Sequence, residues 1–167
     1  SHLSDVSKST PNEIKHEVYE NYEVYYVPYQ SNLRDKIYVK YKETRFNTFR
    51  KMLTFFELLL QPFFDFVIPY SNLSKFSLEY LQQNPDIKKM VVTGNPFNLF
   101  KFAYTLHKAT GIKWIADYRD AWTTSEINLI NKGVLHKFIN YLETYFEKKW
   151  VGTASLVTAS SQPIANH

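Results

Sequence analysis

The densest group of chemically capable side chains in the chain is Asp117-Tyr118-Arg119-Asp120-Ala121-Trp122. It follows the apolar run Lys113-Trp114-Ile115-Ala116, whose length and composition predict a buried strand. Ionised carboxylates accept hydrogen bonds from hydroxyl groups, a guanidinium pairs with phosphate or carboxylate, and an indole stacks on a pyranose face. Charged groups gathered where a buried strand ends point to a site. The competing reading is an internal Arg–Asp brace with Trp122 partly buried. A second candidate is Thr93-Gly94-Asn95-Pro96-Phe97, after the short apolar run Met90–Thr93. Gly94 would allow a tight turn and close approach of a substrate, and the next helix would offer unpaired N–H groups to an anion or hydroxyl. The same turn also serves simply to join a strand to a helix.

The elements that must position these groups alternate in type. Leu73, Phe76 and Tyr80 share a helical face, and Asn84-Pro85-Asp86 ends that helix. The strand Met90–Thr93 follows. Leu99, Phe102, Ala103 and Leu106 then mark a helix that Gly111 closes. After Lys113–Ala116 and a polar loop, Leu135, Phe138, Ile139, Leu142, Tyr145 and Phe146 form a long amphipathic pattern, and Ala154–Ala159 reads as a further strand. Strands alternating with helices imply parallel strands joined by crossovers, so the expected fold is α/β with a Rossmann-like, doubly wound and mainly parallel sheet. In such sheets ligands bind beyond the carboxyl ends of the strands, where both candidate segments lie. Nearer the N-terminus, Tyr22–Val27 is a strand by its β-branched and aromatic content, and residues 1–20 read as a loose polar segment.

Composition narrows the chemistry. The 167 residues suit one domain, and 44% apolar residues suffice for a core. The sequence has no Cys, so disulfides and Cys-based zinc sites are excluded. His107 and His136 lack metal-ligand spacing, and Ser160-Ser161 lacks the glycine context of a hydrolase nucleophile. With only 4 Gly, little is available for a nucleotide-cradling loop. Neither a metal nor a cofactor is expected.

Charge is uneven. Arg34, Lys36, Lys40, Lys42, Arg45, Arg50 and Lys51 face only Asp35 and Glu43 in the same stretch, so its surplus of positive charge accounts for the whole formal net charge of +4 and leaves the remainder about neutral. Such a run suggests an anionic partner or a solvated helix face. No nucleic-acid recognition motif accompanies it, and nucleic acid is not an expected partner. The aromatic stretch Phe46–Phe66 follows, interrupted by charges and Pro62. It is unsuited to spanning a membrane and suited either to an anionic membrane interface, through Arg45, Arg50, Lys51, Phe55 and Phe56, or to packing as a core helix.

Thr93–Phe97, Gly111–Trp122 and Leu156–Ser160 together resemble the N-terminal domain of bacterial GT-B glycosyltransferases, relatives of the retaining hexosyltransferases of family four. Many members carry "T-G-P-P", then "G-I-P-W-I-A-D-F-R-D-P-W", then an apolar "V-T-V-S" strand. Asp65 with Ile68-Pro69-Tyr70 is similar to a "P-D-x-x-I-P-W" stretch. Asn95 and Ala121 stand where the family commonly has Pro.

The resemblance covers about Phe63–His167. It implies an incomplete acceptor-side domain, a single partial Rossmann-like unit over residues 1–167, with the donor-binding domain absent and Tyr22–Val27 serving as one of its strands. On this reading the activity is transfer of a sugar from a nucleotide-sugar donor to a saccharide or lipid-linked acceptor in cell-envelope or exopolysaccharide synthesis. The setting is cytoplasmic, peripheral on the inner face of the plasma membrane, and the chain alone is inactive. Asp117, Arg119 and Asp120 would be catalytic, and Thr93, Gly94, Asn95 and Trp122 would bind acceptor. Arg119 takes the place of a His in the "H-D-x-W" form of other GT-B enzymes. An arginine stays protonated, so its role would be charge stabilisation or positioning. The alternative is a non-catalytic Rossmann-like binding or interaction domain.

Overall fold

The computed structural model describes residues 13–42, 45–94, 96–120, 122 and 133–160. The chain divides into two compact units, Ser1–Ser77 and Leu78–His167.

The first unit opens with β1 (Lys15–Val18) and β2 (Glu23–Tyr26), paired antiparallel from Lys15↔Tyr26 to Val18↔Glu23. Two expectations change here. Part of the segment read as loose is a strand, and the Tyr22–Val27 strand belongs to this hairpin instead of the parallel sheet. The sequence of β1, Lys-His-Glu-Val, has no apolar alternation, so its extended form depends on its cross-strand partners. One such pair is His16 stacked on Tyr25, with ring centroids 4.2 Å apart.

Helix α1 (Leu33–Tyr41) begins at a capping box. Asn32 Oδ1 accepts from the Asp35 N–H at 2.9 Å, and the Asp35 carboxylate reaches back to the Asn32 N–H. Asp35 is buried and also accepts from the Tyr29 hydroxyl at 2.6 Å. Burial and this carboxylate push the Tyr29 pKa up.

Helix α2 (Asn47–Leu60) packs on α1, with several polar groups in the contact. Glu57 accepts from Asn32 Nδ2 at 2.7 Å and faces Arg34 at 3.0 Å, while Arg34 also pairs with Asp35 at 3.2 Å. Burial raises the Glu57 pKa, and Arg34 acts against that rise. The Arg50 guanidinium lies over the Tyr38 ring at 4.5 Å and donates to the Lys42 carbonyl at 3.0 Å. Lys42 (φ 50°) and Phe46 (φ 62°) both take positive φ, a strained conformation for residues with a side chain. A short 3-10 turn, Asp65–Val67, precedes α3 (Ser71–Gln83). Asn72, in the first turn of α3, donates its amide to the Pro28 carbonyl at 2.7 Å.

The second unit follows the alternation read from the sequence. It contains β3 (Lys89–Gly94), α4 (Asn98–Thr110), β4 (Lys113–Tyr118), α5 (Val134–Val151) and β5 (Leu156–Ala159). The strands are parallel in the order β3-β4-β5. Gly111, at φ 74°, closes α4 by donating to the His107 carbonyl at 2.8 Å, and His107 Nδ1 donates to the Ile112 carbonyl at 2.8 Å.

Successive crossovers that advance in one direction across a sheet leave their helices on one face. That face carries Met90, Val92, Trp114, Ala116, Tyr118 and Ala159, packed with Phe100 and Ala103 of α4 and Phe146 and Trp150 of α5. On the opposite face Val91 and Leu156 remain 64% and 53% exposed. The unit is thus mixed α/β and Rossmann-like. Its described crossover helices cover one side, where a doubly wound sheet would carry crossovers on both.

Arg34 is set between the buried Asp35 and the half-buried Glu57 and pairs with both. Arg34→Ala should therefore cost about 2–4 kcal/mol, because it strands carboxylates away from water. Glu57→Gln should cost far less, since it removes a charge that burial disfavours. Urea unfolding of both variants checks the ordering, and equal losses would contradict it.

Candidate functional site at the carboxyl ends of the strands

Thr93, Asp117 and Thr158 occupy one row across the sheet, because β3 and β4 pair Thr93↔Asp117 and β4 and β5 pair Asp117↔Thr158. Residues in register point to the same face, here the one without crossover helices. Asp117 is the centre of the row. Its Oδ2 accepts from the Thr93 hydroxyl at 3.0 Å and from Arg119 Nε at 3.0 Å, and its Oδ1 accepts from the Thr158 hydroxyl at 2.9 Å. One carboxylate therefore ties together the tips of all three strands.

Those donors hold the Asp117 carboxyl below the usual aspartate range, Thr158 contributing most, then Thr93, with Arg119 adding to them. Asp117 is therefore ionised at neutral pH and unsuited to taking up a proton there. Its side chain is only 18% exposed, whereas that of Arg119 is 65% exposed. Ser160 fixes the chain beyond β4 by donating its hydroxyl to the Arg119 carbonyl at 2.8 Å and its N–H to the Tyr118 carbonyl at 2.9 Å. Asp120 is exposed beside this segment. The mouth of the sheet thus presents two hydroxyls, a pinned carboxylate, an accessible guanidinium and an exposed second carboxylate. Such a surface offers hydrogen bonds to a polyhydroxylated ligand and a cation to a charged one.

Four sequence candidates meet here: Thr93, Asp117, Arg119 and Asp120. Two others turn inward. Trp122 is partly buried, stacked on Phe97 with centroids 4.9 Å apart and planes 6° apart, and lies 6.0 Å from the Trp150 ring. Its indole is engaged in an aromatic stack, as the brace reading anticipates, instead of standing open to a pyranose.

Gly94 is buried, and a Cβ there would meet Phe100 Cζ at 2.4 Å and Phe97 Cδ1 at 3.0 Å. The missing side chain makes room for core aromatics, a different use from the close substrate approach expected. Asn95 lies outside the described residues, as does Ala121.

Thr158 and Ser160 were not singled out for this site. The parallel-strand rule could have found Thr158, since it sits at the carboxyl end of β5 just as Thr93 and Asp117 do on their strands. Among the described residues no group of three His, Cys, Asp or Glu is arranged to hold a metal. A cavity of about 610 Å³ lies at the other end of the strands, lined by Leu81, Ile87, Lys88, Gly111 and Lys113 among others. It adjoins the carboxyl end of α4, whose dipole opposes an anion, so its lysines do not make it a phosphate site.

The membrane-interface candidates belong to the first unit. Arg45, Lys51 and Phe56 are exposed. Arg50 is engaged by Tyr38 and Lys42, and Phe55 is half-buried with its ring edge toward Phe56 at 5.6 Å.

The lowered Asp117 pKa sets a pH signature. A depressed carboxylate contributes stability that is present above its unfolded pKa and lost as pH falls through its folded pKa. Asp117→Asn should melt below the wild-type protein at pH 7, and the gap should close as pH drops below the ordinary aspartate value near 3.8. Paired thermal melts across this range provide the check, and a gap that does not narrow would contradict the assignment. Comparison with known protein families, curated proteins and solved structures finds no match for this chain.

Proposed function

We propose that this chain is the acceptor-side half of a GT-B glycosyltransferase, transferring a sugar from a nucleotide-sugar donor to a saccharide or lipid-linked acceptor. The observation that carries the reading is the polar row Thr93–Asp117–Thr158 with Arg119, standing where parallel α/β sheets bind ligands. The residues that form it are largely those through which the sequence resembles the family.

In this reading the roles divide by environment. Asp117 is a fixed anion that orders the strand tips and orients Arg119. The Arg119 guanidinium faces solvent and stabilises negative charge on the substrate or leaving group. Asp120, exposed next to it, accepts a hydrogen bond from an acceptor hydroxyl. Donor binding falls to a second domain.

One observation favours a second reading, a non-catalytic binding module. Asp117 has both oxygens occupied and Trp122 is engaged in a stack, so these two residues of the segment serve the fold.

Two measurements test the proposal. In an enzyme carrying both halves, Asp120→Asn should lower turnover about a hundredfold with little change in melting temperature. Near-normal turnover per folded molecule would remove Asp120 from the site. Calorimetry of this chain with uridine, guanosine and thymidine diphosphate sugars should show weak or no binding. Low-micromolar affinity would overturn the assignment of donor binding to another domain.

A further inference from the structure

Helix α2 leaves part of its apolar surface exposed. Its polar contacts with α1 are Arg50 against Tyr38 and Glu57 against Asn32 and Arg34. Part of its apolar surface is turned away, while Leu53, Phe55, Leu59 and Leu60 are half-buried. Phe49, Met52 and Phe56 follow the i, i+3, i+7 spacing of one helical face and are 40%, 46% and 47% exposed. No residue of α2 is buried. Just beyond the helix, Phe66 adds an aromatic side chain that is 80% exposed. An amphipathic helix ordinarily buries such a stripe, because apolar area left in water forfeits the main favourable term of folding.

Charge identifies the occupant. The stripe lies in the most basic part of the chain, and Lys42, Arg45 and Lys51 are exposed along and before the helix. A partner for this surface must accept apolar rings and carry negative charge beside them. An anionic bilayer does both at one depth, with acyl chains beneath a plane of phosphates. The 14-residue helix is about 21 Å long, too short to cross a bilayer, and among the described residues no helix is long and apolar enough to do so.

We infer that α2 is an interfacial helix. It lies in the plane of an anionic phospholipid surface with Phe49, Met52 and Phe56 immersed and Arg45 and Lys51 at the headgroups. Arg50 stays on Tyr38 and Lys42 and stiffens the α1–α2 turn, and Glu57 stays against α1, away from the lipid phosphates. The inference does not depend on glycosyl transfer, and it names Phe49 and Met52 where the sequence pointed to Phe55.

Sedimentation of the full chain with phosphatidylcholine vesicles, with and without phosphatidylglycerol, tests it. The wild-type chain should pellet with the phosphatidylglycerol vesicles, less so at high salt, and remain largely in solution with phosphatidylcholine alone. F49S/F56S should weaken binding by at least about tenfold, from the apolar area kept in water. R45E/K51E should weaken it by about fivefold or more per residue. These side chains are exposed, so both variants should keep the wild-type circular dichroism spectrum and melting temperature, while the conservative F56L should retain binding.

Three results would overturn the inference. They are absence of wild-type binding to phosphatidylglycerol vesicles, undiminished binding by folded F49S/F56S, and a wild-type dimer in analytical ultracentrifugation that F49S/F56S converts to monomer with vesicle binding unchanged. The last would make the stripe a contact between two copies of the chain.

Discussion

The indole of Trp114 must bury its whole ring and still find an acceptor for its N–H, and the arrangement of the second unit follows from meeting both needs. The ring is completely buried, 5.9 Å from the Phe100 ring of α4, in a cluster completed by Phe146 and Trp150 of α5. Its Nε1–H donates to the Thr153 hydroxyl at 3.1 Å, in the turn that leaves α5. Its backbone carbonyl accepts both the N–H and the hydroxyl of Ser155, each at 2.8 Å. One residue in the middle strand thus engages both crossover helices and the entry to β5. A buried unpaired indole N–H would cost about 1–3 kcal/mol, so the turn after α5 has little freedom to be elsewhere.

That anchoring determines what happens at the other end of the strands. With β5 entered at Ser155, register carries Thr158 to the level of Asp117, and Asp117 to the level of Thr93. The apolar face of the sheet therefore positions the polar row on the opposite face without sharing a side chain with it. Tyr118 shows the division, since its ring packs in the covered core and its hydroxyl donates to Glu147 at 2.8 Å, while its neighbours Asp117 and Arg119 serve the site. Gly94 belongs to the same economy of space: Phe100 can occupy the core only because the strand tip beside it has no Cβ.

The first unit depends on a different balance. Asp35, Glu57 and Arg34 form a half-buried ion cluster with more carboxylate than cation, stable because Asn32 and Tyr29 add hydrogen bonds. Joining α1 to α2 through these groups leaves part of the apolar surface of α2 facing outward. The cluster and the exposed stripe are two consequences of one packing choice, in which polar recognition between helices leaves apolar surface for another partner.

Much of this was legible in the residues alone. Periodicity is local, so the alternation of helices and strands from Leu73 to Ala159, the strand-end position of Asp117 and the closure of α4 by Gly111 could all be read directly. The basic run before Phe46 was equally plain. What a side chain faces is not local. Whether Trp122 meets a ligand or Phe97, whether Gly94 serves a substrate or Phe100, and whether Tyr22–Val27 joins the parallel sheet or pairs with Lys15–Val18 were decided by residues distant in sequence. The same holds for α2, whose pattern announces an apolar face but does not say whether that face will be covered. Amphipathicity is a property of a segment, whereas burial is a property of the pair it forms, and only the tertiary contacts with α1 settled which side of α2 was left to water.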